Sequence, residues 1–154
     1  MLRKLFSYFI PINIHKKNSP VSKTLEVTWN NGEVVLDSKN TNYSYGSLQR
    51  ILRKGLKYIG FERIRNFETV LVLGVAGGSV IKTLVDEIKC KAEIIGVEID
   101  ESVIDLANHY FELNKIPNCS IIIDDAFEYV LKTKATYDLI IIDIFQDTTM
   151  PNFL

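Results

Sequence analysis

The chain has 154 residues, of which 47% are hydrophobic and 24% charged, and a formal net charge of −1. That composition is of a folded globular protein rather than a disordered tail, and the length suits one domain with a real core rather than two. The near-neutral charge argues against a nucleic-acid partner held by bulk electrostatics.

The N-terminal stretch MLRKLFSYFIPINIHKK begins with a positive charge and an apolar run. Pro11 interrupts the run, Asn13 follows, and no small-residue cleavage site appears, so it is not read as a targeting signal. No segment approaches the roughly 20 apolar residues of a membrane helix. A cytoplasmic protein without a membrane partner is expected, with this stretch packed as a strand or at an interface. Basic residues from Arg3 to Arg65 form a mildly basic N-terminal layer, and acids gather after Asp86. Cys90 and Cys119 have neither metal nor redox spacing and read as two buried or half-buried thiols.

Thr24 to Asp37 reads TLEVTWNNGEVVLD, two β-rich runs flanking Asn31-Gly32. Both turn residues tolerate positive φ, so a tight hairpin is expected. Ser38 to Ser44 is polar and reads as loop. Leu48, Ile51, Leu52, Leu56 and Ile59 recur at helical spacing, with Arg50, Arg53, Lys54 and Lys57 mainly on the other face and Gly60 as the stop. Those four charges read as a solvated basic face.

From Thr69 the texture changes. TVLVLG is a nearly continuous apolar run, as in a strand buried on both faces. Val80, Ile81, Leu84, Val85 and Ile88 mark a helix, AEIIGVEID a second strand, and Val103, Ile104, Ala107, Tyr110 and Phe111 a second helix. SIIID, AFEYVLKTK and YDLIIIDIF then give a third strand, a third helix and a fourth strand. Alternating strands and helices predict a parallel sheet wound with right-handed crossovers. The fold class is therefore α/β, a Rossmann-like, mostly parallel doubly wound sheet. An N-terminal β-rich segment over residues 1–46 is expected to precede a ligand-binding domain over 47–154. Only Ile144 to Leu154 follow the fourth strand, so the sequence is expected to lack further C-terminal strands.

Ligands of such sheets bind outside the carboxyl ends of the strands. The first strand ends in Gly74-Val75-Ala76-Gly77-Gly78-Ser79, where small residues let the backbone approach a ligand. The second ends in Glu98-Ile99-Asp100. Glu98 lies about 20 residues beyond the glycine turn, where a carboxylate accepts from ribose hydroxyls. Asp100 directly precedes a helix and reads as its N-cap. The third ends in Asp124-Asp125-Ala126. Asp125 with Glu128 resembles a capping box, and the same position can also reach an adenine. The fourth ends in Asp143, a carboxylate after an apolar run, which reads as chemistry. No metal ligand set is apparent.

A G-x-G-x-x-G fingerprint laid on the turn keeps only Gly74, with Ala76 and Ser79 in the other places. A G-x-G-x-G spacing keeps Gly74 and Gly78, with Ala76 between them. The second pattern resembles class I methyltransferases, and a Walker-type Gly-Lys-Ser/Thr is absent. The ordered set VLVLGVAGGSVIKTL, VEIDESVIDLA, DDAFEYV and YDLIIID resembles the spermidine synthase family, the polyamine aminopropyltransferases, over most of residues 24–147.

The resemblance implies an S-adenosylmethionine or decarboxylated S-adenosylmethionine site built by Gly74, Ala76, Gly77, Gly78, Glu98, Ile99, Asp125 and Ala126. It implies that Glu98 holds the ribose, that Asp125-Ala126 lie near the adenine, and that Asp143 accepts the proton of the attacking amine. It also implies a homodimer and a small-molecule acceptor such as an amine. Three positions depart from the family's pattern. Ala76 stands where an acid contacts the polyamine, Gln146 where a second aspartate follows the first, and Tyr45-Gly46-Ser47 where Tyr-His-Glu is expected. A polyamine is a string of cations oriented by carboxylates, so these losses favour methyl transfer from S-adenosylmethionine as the first expectation. Aminopropyl transfer is the alternative, and a non-catalytic adenosyl-binding module a third.

Overall fold

In the computed structural model, which describes residues 2–39 and 42–144, the chain forms two four-stranded sheets. The first is antiparallel, β1 (Ile12–Ser19), β2 (Lys23–Asn30), β3 (Glu33–Ser38) and β4 (Asn42–Ser44), in that spatial order. Asn31 and Gly32 make the β2–β3 turn with φ of 50° and 79°, the two positive values expected of the Asn-Gly pair. The N-terminus splits at Pro11. Before it lies α1 (Leu2–Phe6), tied to the hairpin turn because Ser7 Oγ accepts from Gly32 N at 3.0 Å. After it comes β1, so part of the stretch is indeed a strand.

The polar run Ser38 to Ser44, read as loop, is corrected at both ends, since Ser38 closes β3 opposite Leu25. Asn42–Ser44 pairs with β3 as β4, and Asn42 Nδ2 donates to the Asp37 carboxylate at 2.7 Å. Tyr43 is the single strand-favouring residue of β4, too little to carry a hydrophobic period, so pairing with β3 decides the strand.

The helix α2 (Gly46–Ile59) follows the expected period but buries less than the pattern implied. Leu56 is its one buried residue, and Ile51 stays 64% exposed. Gly60, at φ 102°, stops it as expected, and a short α3 (Phe61–Arg65) that the sequence reading did not separate follows. Arg53 is not merely solvated, since its Nε donates to both oxygens of Glu87 at 2.8 Å.

The second sheet is parallel. Its strands are β5 (Thr69–Leu73), β6 (Glu93–Glu98), β7 (Cys119–Ile123) and β8 (Leu139–Ile142), in the order β7-β6-β5-β8. β5 is buried on both faces, which explains its unbroken apolar run. Val70 and Val72 pack with Ile81, Leu84 and Ile88 on one side. Leu71 and Leu73 pack with Val97, Ala126 and Tyr129 on the other. The expected helix after the glycine turn begins as α4 (Ser79–Lys82) and widens to a π-helical turn over Thr83–Ile88. α5 (Glu101–Phe111) and α6 (Ala126–Lys132) complete the crossovers.

β8 departs from a fully buried strand. Leu139 and Ile141 pack inward, whereas Ile140 and Ile142 are 52% and 56% exposed. Cys90 and Cys119 are both reduced thiols, and burial pushes the Cys119 thiol up to about 11. No helix of the described residues is long and apolar enough to cross a membrane.

Candidate functional site

Strand order reverses at β5, with β6 on one side and β8 on the other. In open parallel sheets this crevice, at the carboxyl ends of the strands, is where ligands bind. Gly74 and Asp143 flank it. Gly74 N donates to Val97 O at 2.9 Å, and Asp143 N donates to Leu73 O at 2.8 Å. Gly74 has a φ of 84°, and a Cβ there would lie 2.0 Å from the carbonyl oxygen of Asp143. Only glycine permits this approach.

The rest of the turn is equally tight. A Cβ on Gly77 would meet Ser44 Cβ at 2.8 Å, so β4 lies directly against it. Gly78 caps α4 in the left-handed region. Ala76 is also left-handed, with φ of 48°, a conformation that costs an alanine roughly 1–2 kcal/mol. Its methyl group packs on the apolar cluster of Leu25, Val27, Leu36 and Phe111, so this position presents hydrocarbon to the N-terminal sheet.

Glu98 is half-buried at the end of β6. Its Oε2 accepts from Val75 N and Ala76 N, each at 3.0 Å, and its Oε1 accepts from Asp100 N at 3.1 Å. The carboxylate therefore pins the glycine turn. A carboxylate has about four acceptor positions, so roughly one remains for a ribose hydroxyl. The sequence points this acid at ribose hydroxyls; the partner it has in the structure is the backbone of the turn itself, which its place in the sequence does not reveal.

Asp143 is the other acid of the crevice. Burial, and then the charge of Glu98, push its carboxyl up to about 6. A carboxylate in that range is ionised at neutral pH and still basic enough to take a proton. Ile99, beside Glu98, is 39% exposed at the rim. Asp125 caps α6, accepting from Phe127 N at 2.7 Å and Glu128 N at 3.4 Å. The reciprocal arm of the capping box does not form, because Asp125 N donates to Asp124 Oδ1 and Glu128 pairs with Lys132. Ala126 packs under the sheet with Leu71, Leu73 and Val97. Asp125→Ala is expected to cost about 1 kcal/mol in urea unfolding, and Asp125→Ser to restore it. A role at the adenine is then read as lost ligand affinity in both variants.

Gln146 lies outside the described residues. Two groups were missed by the sequence reading. Tyr45, φ 68°, stacks its ring on Phe111 at 4.5 Å and donates its hydroxyl to Gly77 O at 3.1 Å. Burial and then Asp86 raise its phenol well above the usual value, so it remains a donor. Ser44 Oγ accepts from Ser79 N at 3.3 Å. The second group is the serine pair Ser19 and Ser22, whose hydroxyls both donate to Asp100. The Tyr45-Gly46-Ser47 departure offered a signal for Tyr45, but nothing local marks the serines.

Comparison with known proteins matches this geometry to a family. The spermine/spermidine synthase domain model matches residues 31–152. A probable polyamine aminopropyl transferase of Bifidobacterium longum is 31% identical over 86 residues, covering 56% of this chain and 19% of that protein. A polyamine aminopropyltransferase of Buchnera aphidicola is 35% identical over 81 residues, covering 49% and 28%. The crystal structure of spermidine synthase from Thermotoga maritima superposes with a TM-score of 0.69 at 24% identity. That match covers 92% of this chain but 48% of the other, so the chain spans less than half of each of these relatives. With the family model matching residues 31–152, and the crevice set at the reversal of a β7-β6-β5-β8 sheet, the chain belongs to the spermine/spermidine synthase domain family.

Proposed function

We propose that this chain forms the adenosyl-binding part of a polyamine aminopropyltransferase and uses decarboxylated S-adenosylmethionine. The family match over residues 31–152 carries the reading, and both curated relatives are named as aminopropyl transferases. Methyl transfer, the first expectation from the sequence, rested on Ala76 and Gln146, two acceptor-side losses. Neither bears on the donor, so the balance moves to the aminopropyl reading.

The residues fit the adenosyl group. The glycine turn packs backbone to backbone against Asp143 at the crevice, and Glu98 keeps acceptor capacity beside it. Gly74, Ala76, Gly77 and Gly78 cradle the ligand, Glu98 takes a ribose hydroxyl, Ile99 covers a face of the adenine, and Asp125 and Ala126 bound its edge. When bound, the decarboxylated cofactor supplies an aminopropyl carbon already activated by its sulfonium. Asp143 takes the proton the acceptor amine must lose, and the rigid crevice holds the amine in line. The alanine at 76 removes one carboxylate from the acceptor side, which suits an acceptor carrying few positive charges.

Parallel calorimetric titrations with decarboxylated and intact S-adenosylmethionine test the reading, followed by assays with a short aliphatic diamine. Tighter binding of the decarboxylated form, and release of methylthioadenosine, are expected. Preference for the intact form with release of S-adenosylhomocysteine would return the chain to methyl transfer.

A further inference from the structure

We infer that Asp100 is a positioning residue, through which the N-terminal sheet sets the carboxylate of Glu98 and, through it, the glycine turn. The inference rests on the adenosyl reading of the site for its consequence in binding, though not for its geometry.

Asp100 is 3% exposed, and Ser19 and Ser22 are 7% and 5% exposed. A buried carboxylate is costly unless its oxygens are fully engaged. Capping α5 needs only Oδ1, which accepts from Ser102 N at 3.0 Å. Oδ2 is committed to a different task. It accepts from Ser19 Oγ at 2.5 Å and from Ser22 Oγ at 2.6 Å, across sequence separations of 81 and 78 residues. Ser19 is itself fixed, because its Oγ accepts from Val21 N at 3.0 Å and Ser22 N at 3.1 Å. The β1–β2 turn is thus folded around this one oxygen.

The chain of contacts continues toward the crevice. Asp100 N donates to Glu98 Oε1 at 3.1 Å, and Glu98 Oε2 holds Val75 N and Ala76 N. An unbroken series runs from the serine hydroxyls through Asp100 and Glu98 to the backbone of the turn. A cap alone would leave α5 tied to the N-terminal sheet only further along, where Lys17 Nζ donates to Asp105 at 3.0 Å and Tyr110 Oη meets His15 Nδ1 at 2.9 Å. The serine pair instead fixes the start of α5, and the Glu98-Ile99-Asp100 corner, against the N-terminal layer. An acid held from both of its oxygens loses less freedom when ribose arrives, which is pre-organisation of the site.

The test uses Ser19→Ala/Ser22→Ala, which leaves the cap and Asp100 in place, with Ser22→Ala as the milder variant should the double one fold poorly. Amide hydrogen exchange at Val75 and Ala76 is measured without ligand, where both amides are expected to exchange at least threefold faster in the milder variant and about tenfold faster in the double one. Affinity for methylthioadenosine is then measured in the Glu98 and the Glu98→Gln backgrounds. A loss of about tenfold in the first that shrinks below twofold in the second is the signature of action through Glu98. Unchanged exchange in both variants overturns the inference, as does an equal affinity loss in both backgrounds. If the unaltered protein binds no adenosyl ligand, the proposed function fails, and exchange at Val75 and Ala76 still decides the relay.

Discussion

Asp143→Asn is expected to lower aminopropyl transfer by about 10²–10⁴-fold, the usual contribution of a placed general base, and at the same time to stabilise the folded chain above pH 6. The two effects have one cause. Asp143 sits at the crevice with its carboxyl pushed from 3.8 to about 6, by burial first and by the Glu98 charge second. Raised in the folded state, it keeps its proton there at pH values where the unfolded chain has already lost it. The stability this contributes is full below pH 3.8 and is lost as pH rises through about 6. Above pH 6 the folded protein holds a carboxylate against its preference, at a cost of about 2 kcal/mol once partial exposure is allowed for. Asparagine keeps the shape and removes the charge. Urea unfolding at pH 5 and pH 8 should find the variant more stable at both, with a gain about twice as large at the higher pH. The rate of the unaltered enzyme should fall as pH drops below about 6. An asparagine variant with full turnover would remove Asp143 from the reaction.

The same acid shows what the sequence makes legible. Asp143 stands out because an aspartate after four apolar residues must end a strand, and the strand-end rule then places it. Gly74 and Glu98 follow in the same way, since local pattern and sheet topology agree at both. The Asn31-Gly32 hairpin is likewise a local matter of positive φ. What escapes is whatever depends on partners distant in the chain. β4 is three residues, one tyrosine between Asn42 and Ser44, too short a run to read as a strand until β3 lies beside it. Ser19 and Ser22 are unremarkable until folding brings Asp100 to them from about 80 positions away. Ala76 is a different kind of miss. Alanine reads as the smallest stand-in for glycine, which is right for volume, yet its left-handed backbone is visible only in the structure. Glu98 lies between these cases, with its position legible and its grip on the turn not.

The largest stability effect is expected at Gly74, where Gly74→Ala should cost about 3–5 kcal/mol, a large part of what a domain of this size has to lose. Two penalties add there. At φ 84° an alanine is strained by roughly 1–2 kcal/mol. Its Cβ would also lie 2.0 Å from Asp143 O and 2.7 Å from Asp143 C, both backbone atoms that no rotamer change can clear. Relief requires β5 and β8 to separate, which breaks the Asp143 N to Leu73 O bond and carries the Asp143 carboxylate away from Glu98. Gly78→Ala is the control. Its φ of 79° imposes similar strain, but its Cβ would meet Leu113 Cδ1 at 2.7 Å, the end of a flexible side chain. That variant should lose only about 1–2 kcal/mol. Urea unfolding of the pair separates backbone collision from conformational strain. Equal losses would mean that the strands yield easily at the crevice, and Asp143 would then need some other element to hold it in place.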